Sequence, residues 1–270
     1  MAQRALNLGI CTSVFGHRDA LTAAKVRRLE QTGIAWIEIA ALQSHHLNLF
    51  DTERVDEIIA AIESSSLKVW SLHAPFSGIA MDDPDTREDG LRKIVQAARV
   101  AARFGAKAVV VHPGRDVPSR NRDQEFRWTH EAMGRAVDLT PASVVLAMET
   151  MSLESLGGLP DEMLALLDGL DASRVGICLD SGHVHQGRNV PDYIRQVSGR
   201  IATVHLHDNY GDHDDHALPG EGNQDWPSVL AALRAAGYDG PLMGECGLED
   251  ATPEEAVGEY IRRMSAFART

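Results

Sequence analysis

The chain has 270 residues, of which 44% are hydrophobic and 24% charged, a composition typical of a globular protein with a substantial core. Its formal net charge of −13 argues against a surface that binds nucleic-acid duplexes, because affinity for phosphates comes from lysine and arginine. No apolar run of the sequence approaches the roughly 20 residues that a membrane span requires.

The cysteines and the amino-terminal residues indicate the compartment. Cys11, Cys178 and Cys246 show no paired spacing, which favours a reducing environment. The first eight residues do not have the charged and then apolar pattern of a secretory signal. We therefore expect a cytoplasmic protein with no membrane among its partners. No Pro/Gly/Ser-rich linker divides the chain, so we expect a single domain over residues 1–270, with a homo-oligomer left open.

Short apolar runs alternate with longer amphipathic stretches from end to end. The predicted strands are Leu6–Cys11, Ala35–Ala40, Lys68–His73, Ala108–His112, Val144–Glu149, Val175–Asp180, Ile201–His207 and Pro241–Glu245. The predicted helices are Thr22–Thr32, Thr52–Ser65, Arg87–Phe104, Gln124–Leu139, Asp161–Leu170, Asp192–Val197, Pro227–Ala236 and Pro253–Ala266. Eight repeats of strand and helix are typical of a parallel sheet with crossover helices. The length matches a closed (β/α)8 TIM barrel, which has about 250 residues. A doubly wound open sheet is the rival, but the glycine fingerprint of dinucleotide binding is missing after the first strand.

Six consecutive predicted strands, the third to the eighth, end on ionisable side chains. In chain order these are His73, His112, Glu149, Asp180 with His183 close behind, His205 with His207, and Glu245. Buried ionisable groups are costly unless they are paired or bound to metal. The carboxyl ends of barrel strands meet at the face where active sites lie. The sequence therefore predicts one polar site at that face.

The residue types at these strand ends indicate a metal. Glutamate, aspartate and histidine together suit a hard or borderline divalent cation. We expect Mn²⁺ first, with Zn²⁺, Co²⁺ or Mg²⁺ as alternatives, and no organic cofactor. Asp214 and His216, after the seventh strand, either fold over the barrel mouth as further ligands or belong to a solvated acidic loop. Glu38, near the end of the second strand, either contacts a substrate hydroxyl or is structural.

Two classes of enzyme are disfavoured. The four lysines fall in helices or before strands, away from the predicted site: Lys25, Lys68, Lys93 and Lys107. A Schiff-base aldolase needs a lysine among its catalytic groups, so that class is excluded. The loops after the seventh and eighth strands, where a phosphate site is expected, are acidic. A phosphorylated substrate is therefore disfavoured unless Arg115, Arg120 or Arg122 reaches the site.

The ordered set of strand-end residues resembles that of the xylose isomerase-like TIM-barrel superfamily, over the range from Leu6 to about Ala266. The superfamily holds sugar isomerases and epimerases, inosose dehydratases and endonuclease IV. The sugar epimerase branch is represented by D-tagatose 3-epimerase. Resemblance to it implies one divalent metal, a substrate contact by His183, and two ligand glutamates, Glu149 and Glu245, that also move protons. The four ligands implied are Glu149, Asp180, His205 and Glu245.

The ligand set also resembles that of endonuclease IV, which implies three zinc ions. The nine implied ligands are His73, His112, Glu149, Asp180, His183, His205, Asp214, His216 and Glu245. The sequence His205-Leu206-His207-Asp208 is similar to the superfamily's His-Leu-x-Asp, which favours His205 over His207 as the ligand. The segment after the second strand lacks the arginine-rich and aromatic wedge that this nuclease inserts into DNA.

The resemblance thus implies a metal-dependent sugar isomerase or epimerase that acts on a ketose or keto-sugar through an enediolate. A keto-sugar or inosose dehydratase is a close alternative, because it uses the same enolisation. A trinuclear zinc phosphodiesterase acting on abasic DNA is the alternative from a different class. A small-molecule sugar is the expected partner.

Overall fold

The computed structural model describes residues 7–16, 18–115, 118–247 and 251–269. The strands are β1 (Leu8–Cys11), β2 (Trp36–Ala40), β3 (Lys68–His73), β4 (Ala108–Val111), β5 (Val145–Glu149), β6 (Val175–Asp180), β7 (Ile201–His205) and β8 (Leu242–Gly244). The helices are α1 (Ala23–Gln31), α2 (Thr52–Glu63), α3 (Pro84–Arg103), α4 (Arg122–Leu139), α5 (Pro160–Leu167), α6 (Ser181–His185), α7 (Val190–Gln196), α8 (Trp226–Ala235) and α9 (Pro253–Phe267). A 3-10 turn, Thr12–Phe15, follows β1.

The eight strands form one parallel sheet that is nearly closed into a barrel. Each strand from β1 to β6 pairs with the next in the chain, and β1 also pairs with β8. A parallel bridge between Leu206 and Gly244 joins the two ends of the sheet. There the backbone N–H of Leu206 donates to the carbonyl of Met243 at 2.8 Å. The predicted single-domain (β/α)8 barrel is confirmed.

Local sequence signals explain where the helices begin and end. Helix α3 begins at Pro84, three residues before the predicted start at Arg87. The Asp83 side chain caps it by accepting from the N–H of Thr86, and proline suits the first helical position. Three glycines that follow α1, α3 and α8 adopt positive φ angles of 79°, 71° and 79°, as helix-terminating glycines do: Gly33, Gly105 and Gly237.

The remaining differences from the predicted elements lie at element ends and in short elements. Strands β4 and β7 stop at Val111 and His205, and α5 stops at Leu167. The turn Thr12–Phe15 and helix α6 were not predicted, because four or five residues carry too little periodicity to reveal a helix. The predicted strand residue Leu6 lies outside the described residues.

The apolar core fills the layer between the barrel and its helices, while small side chains line part of the sheet's inner surface. These small side chains form a cluster separate from the main core: Ala108, Val110, Ala147 and Cys178, with Ala202 packed against them. Small residues there leave room beneath the strand ends for larger polar side chains. Among the described helices, none combines the length and the apolar character that crossing a bilayer demands.

Candidate metal centre

Four acidic and histidine side chains converge at the carboxyl end of the barrel. Glu149, Asp180 and His205 are the last residues of β5, β6 and β7, and Glu245 directly follows β8. All four are buried. Strand register places Asp180 directly beside His205. One ligand atom from each of the four lies within 4.8 Å of the others. Their positions at strand ends fix this arrangement through the backbone of the sheet.

His205 lies at the centre of this group. Its Nδ1 is 3.0 Å from Oε1 of Glu149 and 2.9 Å from Oε2 of Glu245. Oδ2 of Asp180 is 3.8 Å from the same nitrogen. The other ring nitrogen, Nε2, faces Glu38, at 2.9 Å from Oε1 and 3.1 Å from Oε2. Four carboxylates thus lie within 3.8 Å of one imidazole.

The charges in this group perturb one another strongly. Burial alone would raise the pKa of Glu149, but the adjacent imidazoles of His112 and His205 hold it well below its ordinary value. Burial acts in the same way on Glu245, and His205 again lowers its pKa. Burial opposes protonation of His205, but the surrounding acidic groups raise its pKa well above the ordinary value. Without a metal, these directions favour a protonated His205 beside two ionised glutamates.

Two further histidines approach Glu149 from the side of β3 and β4. Nε2 of His73 is 3.1 Å, and Nε2 of His112 is 2.9 Å, from Oε2 of that carboxylate. The Nδ1 atom of His112 is buried and has no hydrogen-bond partner within the described ranges. The ring of Phe76 meets His112 edge to face at 5.1 Å and is 53% exposed. An aromatic surface thus borders the opening of the site.

A third group lies nearer the solvent. Oδ2 of Asp214 is 3.2 Å from Nε2 of His183 and 3.1 Å from Nε2 of His216. Nδ1 of His183 is 3.0 Å from the backbone oxygen of Thr150, and the same nitrogen is 3.8 Å from Glu149. The third group therefore adjoins the deep group. We call His183, Asp214 and His216 the outer set, and Glu149, Asp180, His205 and Glu245 the deep set.

His207 lies between the two sets and contacts a member of each. Nε2 of His207 is 3.0 Å from Oδ1 of Asp180, and its ring stacks on His216 at 4.2 Å. His216 adopts a φ of 47°, which is uncommon for a residue with a side chain. Its Nδ1 lies 2.8 Å from the backbone oxygen of Glu245. Burial opposes its charge, yet Asp214 raises the pKa of His216 to about 10.

The residues present fit a divalent cation in the deep set. Three carboxylates and one imidazole form a suitable donor set, and one ligand atom from each lies within 4.8 Å of the others. His73, His112 and His183 around Glu149 form a second ring of nitrogen donors. The sequence predicted all of these side chains at one face, and the structure brings all of them together.

The environment of Glu38 was not foreseen. It is completely buried and accepts a hydrogen bond from Oγ of Ser71 at 2.6 Å. Cys11, Glu38 and Glu245 also form a compact group whose ligand atoms lie within 4.8 Å of one another. Cys11 ends β1, so the strand-end criterion that identified the other residues would also have found it, had thiols been included.

Asp208 was also missed as an organising residue. It is completely buried, and its carboxylate accepts from the N–H of Gly220 at 2.7 Å and from Nε1 of Trp226 at 2.8 Å. Its backbone pairs with Ala217 in both directions. These bonds fasten the base of the loop 209–224, which carries Asp214 and His216 over the mouth.

Two cationic side chains that the sequence analysis considered, Arg122 and Lys93, are paired with acidic side chains outside the site. Arg122 binds the carboxylate of Glu162 and the carbonyl of Ser155, so it is not directed at the barrel mouth. Lys93 pairs with Asp89 at 2.9 Å on helix α3.

Comparison with known proteins finds relatives in sequence and a solved structure with a similar fold. The uncharacterized protein MJ1311 of Methanocaldococcus jannaschii is 27% identical over 95% of this chain and 89% of its own length. The probable endonuclease 4 of Mycobacterium ulcerans is 29% identical over 73% of this chain and 79% of its own. A solved D-tagatose 3-epimerase-like protein superposes with a TM-score of 0.83, at 21% identity, over 98% of each chain.

Residues 26–267 match the family model described as xylose isomerase-like TIM barrel. That match covers most of the barrel and every residue of the deep and outer sets. The chain therefore belongs to the xylose isomerase-like TIM barrel family.

Proposed function

We propose that the protein is a divalent-metal-dependent isomerase or epimerase of an unphosphorylated ketose or keto-sugar. One observation carries this proposal: the carboxylates of Glu149 and Glu245 both lie against Nδ1 of His205, at 3.0 and 2.9 Å. They come from β5 and just after β8, three strands apart around the barrel. They thus approach one position from different directions, as proton transfer by two bases requires.

The deep set would hold the ion, with Mn²⁺ as the first candidate. Such a cation supplies positive charge that acidifies a C–H next to a carbonyl and stabilises the resulting enediolate. The resemblance to the sugar epimerases assigns the substrate contact to His183, which lies between the deep set and Asp214. The exposed ring of Phe76 offers an apolar surface beside the opening.

The protein groups move the proton. The lowered pKa values of Glu149 and Glu245 favour the carboxylate form of both, which is the form a base needs. One glutamate would take the proton from the carbon beside the carbonyl and later release it to solvent, and the other would return to the enediolate a proton acquired from solvent. Return to the opposite face of the same carbon gives epimerisation, and return to the neighbouring carbon gives isomerisation. Loss of a β-hydroxyl from the same enediolate would give a keto-sugar dehydratase, which product analysis distinguishes.

A second candidate, a trinuclear zinc phosphodiesterase acting on abasic DNA, is favoured by a different observation. The nine ligand-type side chains form three contact groups: one at Oε2 of Glu149, one around Nδ1 of His205 and one at Oδ2 of Asp214. One dication also leaves the four buried carboxylates around His205 with an excess of negative charge, which is costly in an interior. Further cations, or protonated histidines, would balance that charge.

Solvent exchange tests the leading proposal. The metal-stripped protein is reloaded with Mn²⁺, Co²⁺ or Zn²⁺ and incubated in D₂O with free ketopentoses, ketohexoses and keto-inositols. We expect deuterium to appear, by NMR, on the carbon adjacent to the carbonyl of at least one of them. A parallel incubation uses a duplex with one abasic site at low and high salt. Cleavage of that duplex, weakened by salt as phosphate contacts demand, without deuterium incorporation would establish the second candidate instead.

A further inference from the structure

Glu38 lies behind His205, away from the opening of the site. A register shift between Ile37 and Glu38 in the pairing of β2 with β3 sets Glu38 beside Ser71. Its carboxylate accepts from Oγ of Ser71 at 2.6 Å and faces Nε2 of His205 at 2.9 Å. Glu38 is completely buried. These contacts fit the structural role that the sequence left open beside a substrate contact.

The two ring nitrogens of His205 have different surroundings. Nδ1 faces Glu149 and Glu245, the residues of the deep set, whereas Nε2 faces Glu38. Nε2 lies at hydrogen-bond distance from Oε2 of Glu38, 3.1 Å, and a carboxylate oxygen accepts, so this geometry makes Nε2 the donor. A neutral imidazole protonated at Nε2 has its free electron pair on Nδ1, the nitrogen that points into the deep set. Carboxylates beside metal-binding histidines fix the tautomer and ring orientation in this way.

We propose that Glu38 is a positioning residue that holds His205 with Nδ1 towards the metal and that Ser71 holds Glu38 in turn. This inference rests on the metal site of the proposed function. It makes the chain Ser71–Glu38–His205 a buried support for one ligand. The support acts on ion affinity and on the His205 tautomer, and it does not require contact with substrate.

Substitutions at position 38 separate the hydrogen bond from the charge and the volume. In Glu38→Gln the amide oxygen can still accept from Nε2 of His205 while its NH₂ group donates to Ser71. Glu38→Met keeps a similar length but removes the acceptor. Ser71→Ala removes only the support of the carboxylate. Glu154→Gln, an exposed position on the loop after β5, is the matched control.

The dissociation constant for Zn²⁺ is measured by competition with a chromophoric chelator, beside the thermal midpoint of each metal-free variant. We expect Glu38→Met to weaken Zn²⁺ binding by about 10–100-fold, as loss of such outer partners does. The Zn²⁺ affinity of Glu38→Gln should lie between that of Glu38→Met and that of the wild type. Ser71→Ala should change the affinity least of the three variants. Wild-type affinity in both Glu38 variants would overturn the proposal.

The tautomer supplies a readout that a merely structural role would not change. Long-range ¹H–¹⁵N correlation spectra of the Zn²⁺-loaded wild type should show His205 protonated at Nε2 and ligated through Nδ1. A proton on Nδ1 would overturn the proposal even if Glu38→Met fails to fold. Failure of the wild type to bind any divalent ion would remove both this inference and the proposed function. If ion binding depends on Glu38 but no ketose exchanges deuterium, only the proposed reaction is wrong.

Discussion

The deep and outer sets place similar residue types in very different structural settings. The deep set stands on strand ends, and its four members are buried. Two of the three outer residues stand on the loop 209–224, where the side chains of Asp214 and His216 are 28% and 38% exposed. The sheet fixes the deep set directly. The loop must be fastened by Asp208 and by the stacking of His216 on His207. We infer that chemistry depends on the deep set and that the outer set adjusts affinity or specificity.

The largest expected effect comes from the two glutamates of the deep set. Glu149→Gln and Glu245→Gln remove the groups that carry protons, so kcat for deuterium exchange should fall by about 10²–10⁴. Each variant should still fold, because glutamine has nearly the same shape. Glu154→Gln is the control and should keep wild-type turnover. Full activity in both variants would refute the assignment of the proton carriers.

Removal of the metal should lower the free energy of unfolding of the protein. Without a cation, the four carboxylates around His205 repel one another in a buried place. An ion present at about 1,000 times its dissociation constant adds about 4 kcal/mol to the free energy of unfolding. Denaturant unfolding before and after chelation should show this difference in the wild type. The difference should vanish in His205→Ala; an equal difference in that variant would place the ion elsewhere.

A smaller effect is expected from the outer set. In His216→Ala the loss of one charge-assisted hydrogen bond, worth about 1.5–3 kcal/mol, should raise KM about tenfold or more. The number of ions bound per chain should not change. The neighbouring exposed His213→Ala is the matched control and should behave as wild type. If the ion count falls by one in His216→Ala, the outer set is itself a metal site and the trinuclear alternative gains support.

The smallest effect concerns pH. Neighbouring acidic groups raise the pKa of His205, so this imidazole is protonated in the metal-free protein at neutral pH. Metal binding must displace that proton, because a protonated imidazole has no free electron pair. Ion affinity should therefore rise from pH 6 to pH 8, with proton release visible by calorimetry in buffers of different ionisation enthalpy. An affinity independent of pH over this range would argue against His205 as a ligand.

The barrel and the location of the candidate site could be predicted because a strand–helix unit repeats along the chain, with an ionisable residue at the end of most strands. Each of six predicted strands ended in an ionisable residue, and parallel strands bring their carboxyl ends to one face. Which of these side chains contact one another within the site was harder to predict from the sequence. His205 and His207 share a strand face by parity, and only the structure separates their contacts. The position of Asp214 depends on a loop whose path is set by Asp208, a residue that sequence reasoning did not single out.

The direction of the Glu38 side chain could not be predicted from the sequence for a similar reason. Ile37, Glu38 and Ile39 are all completely buried, so alternation along β2 gives no sign of which direction the carboxylate faces. The register shift at Ile37 and Glu38 determines its neighbour on β3. Shifts of this kind arise from packing between strands and leave no local pattern in the sequence.

Counting metal ions tests the central claim most directly. Purified wild type, Asp180→Asn and His205→Ala are metal-stripped, reloaded with Mn²⁺ and analysed for ions per chain by mass spectrometry. We predict about one ion in the wild type and none in either variant. An ion that remains bound in both variants, or a wild type that binds none, would contradict the assignment of the deep set as the metal site.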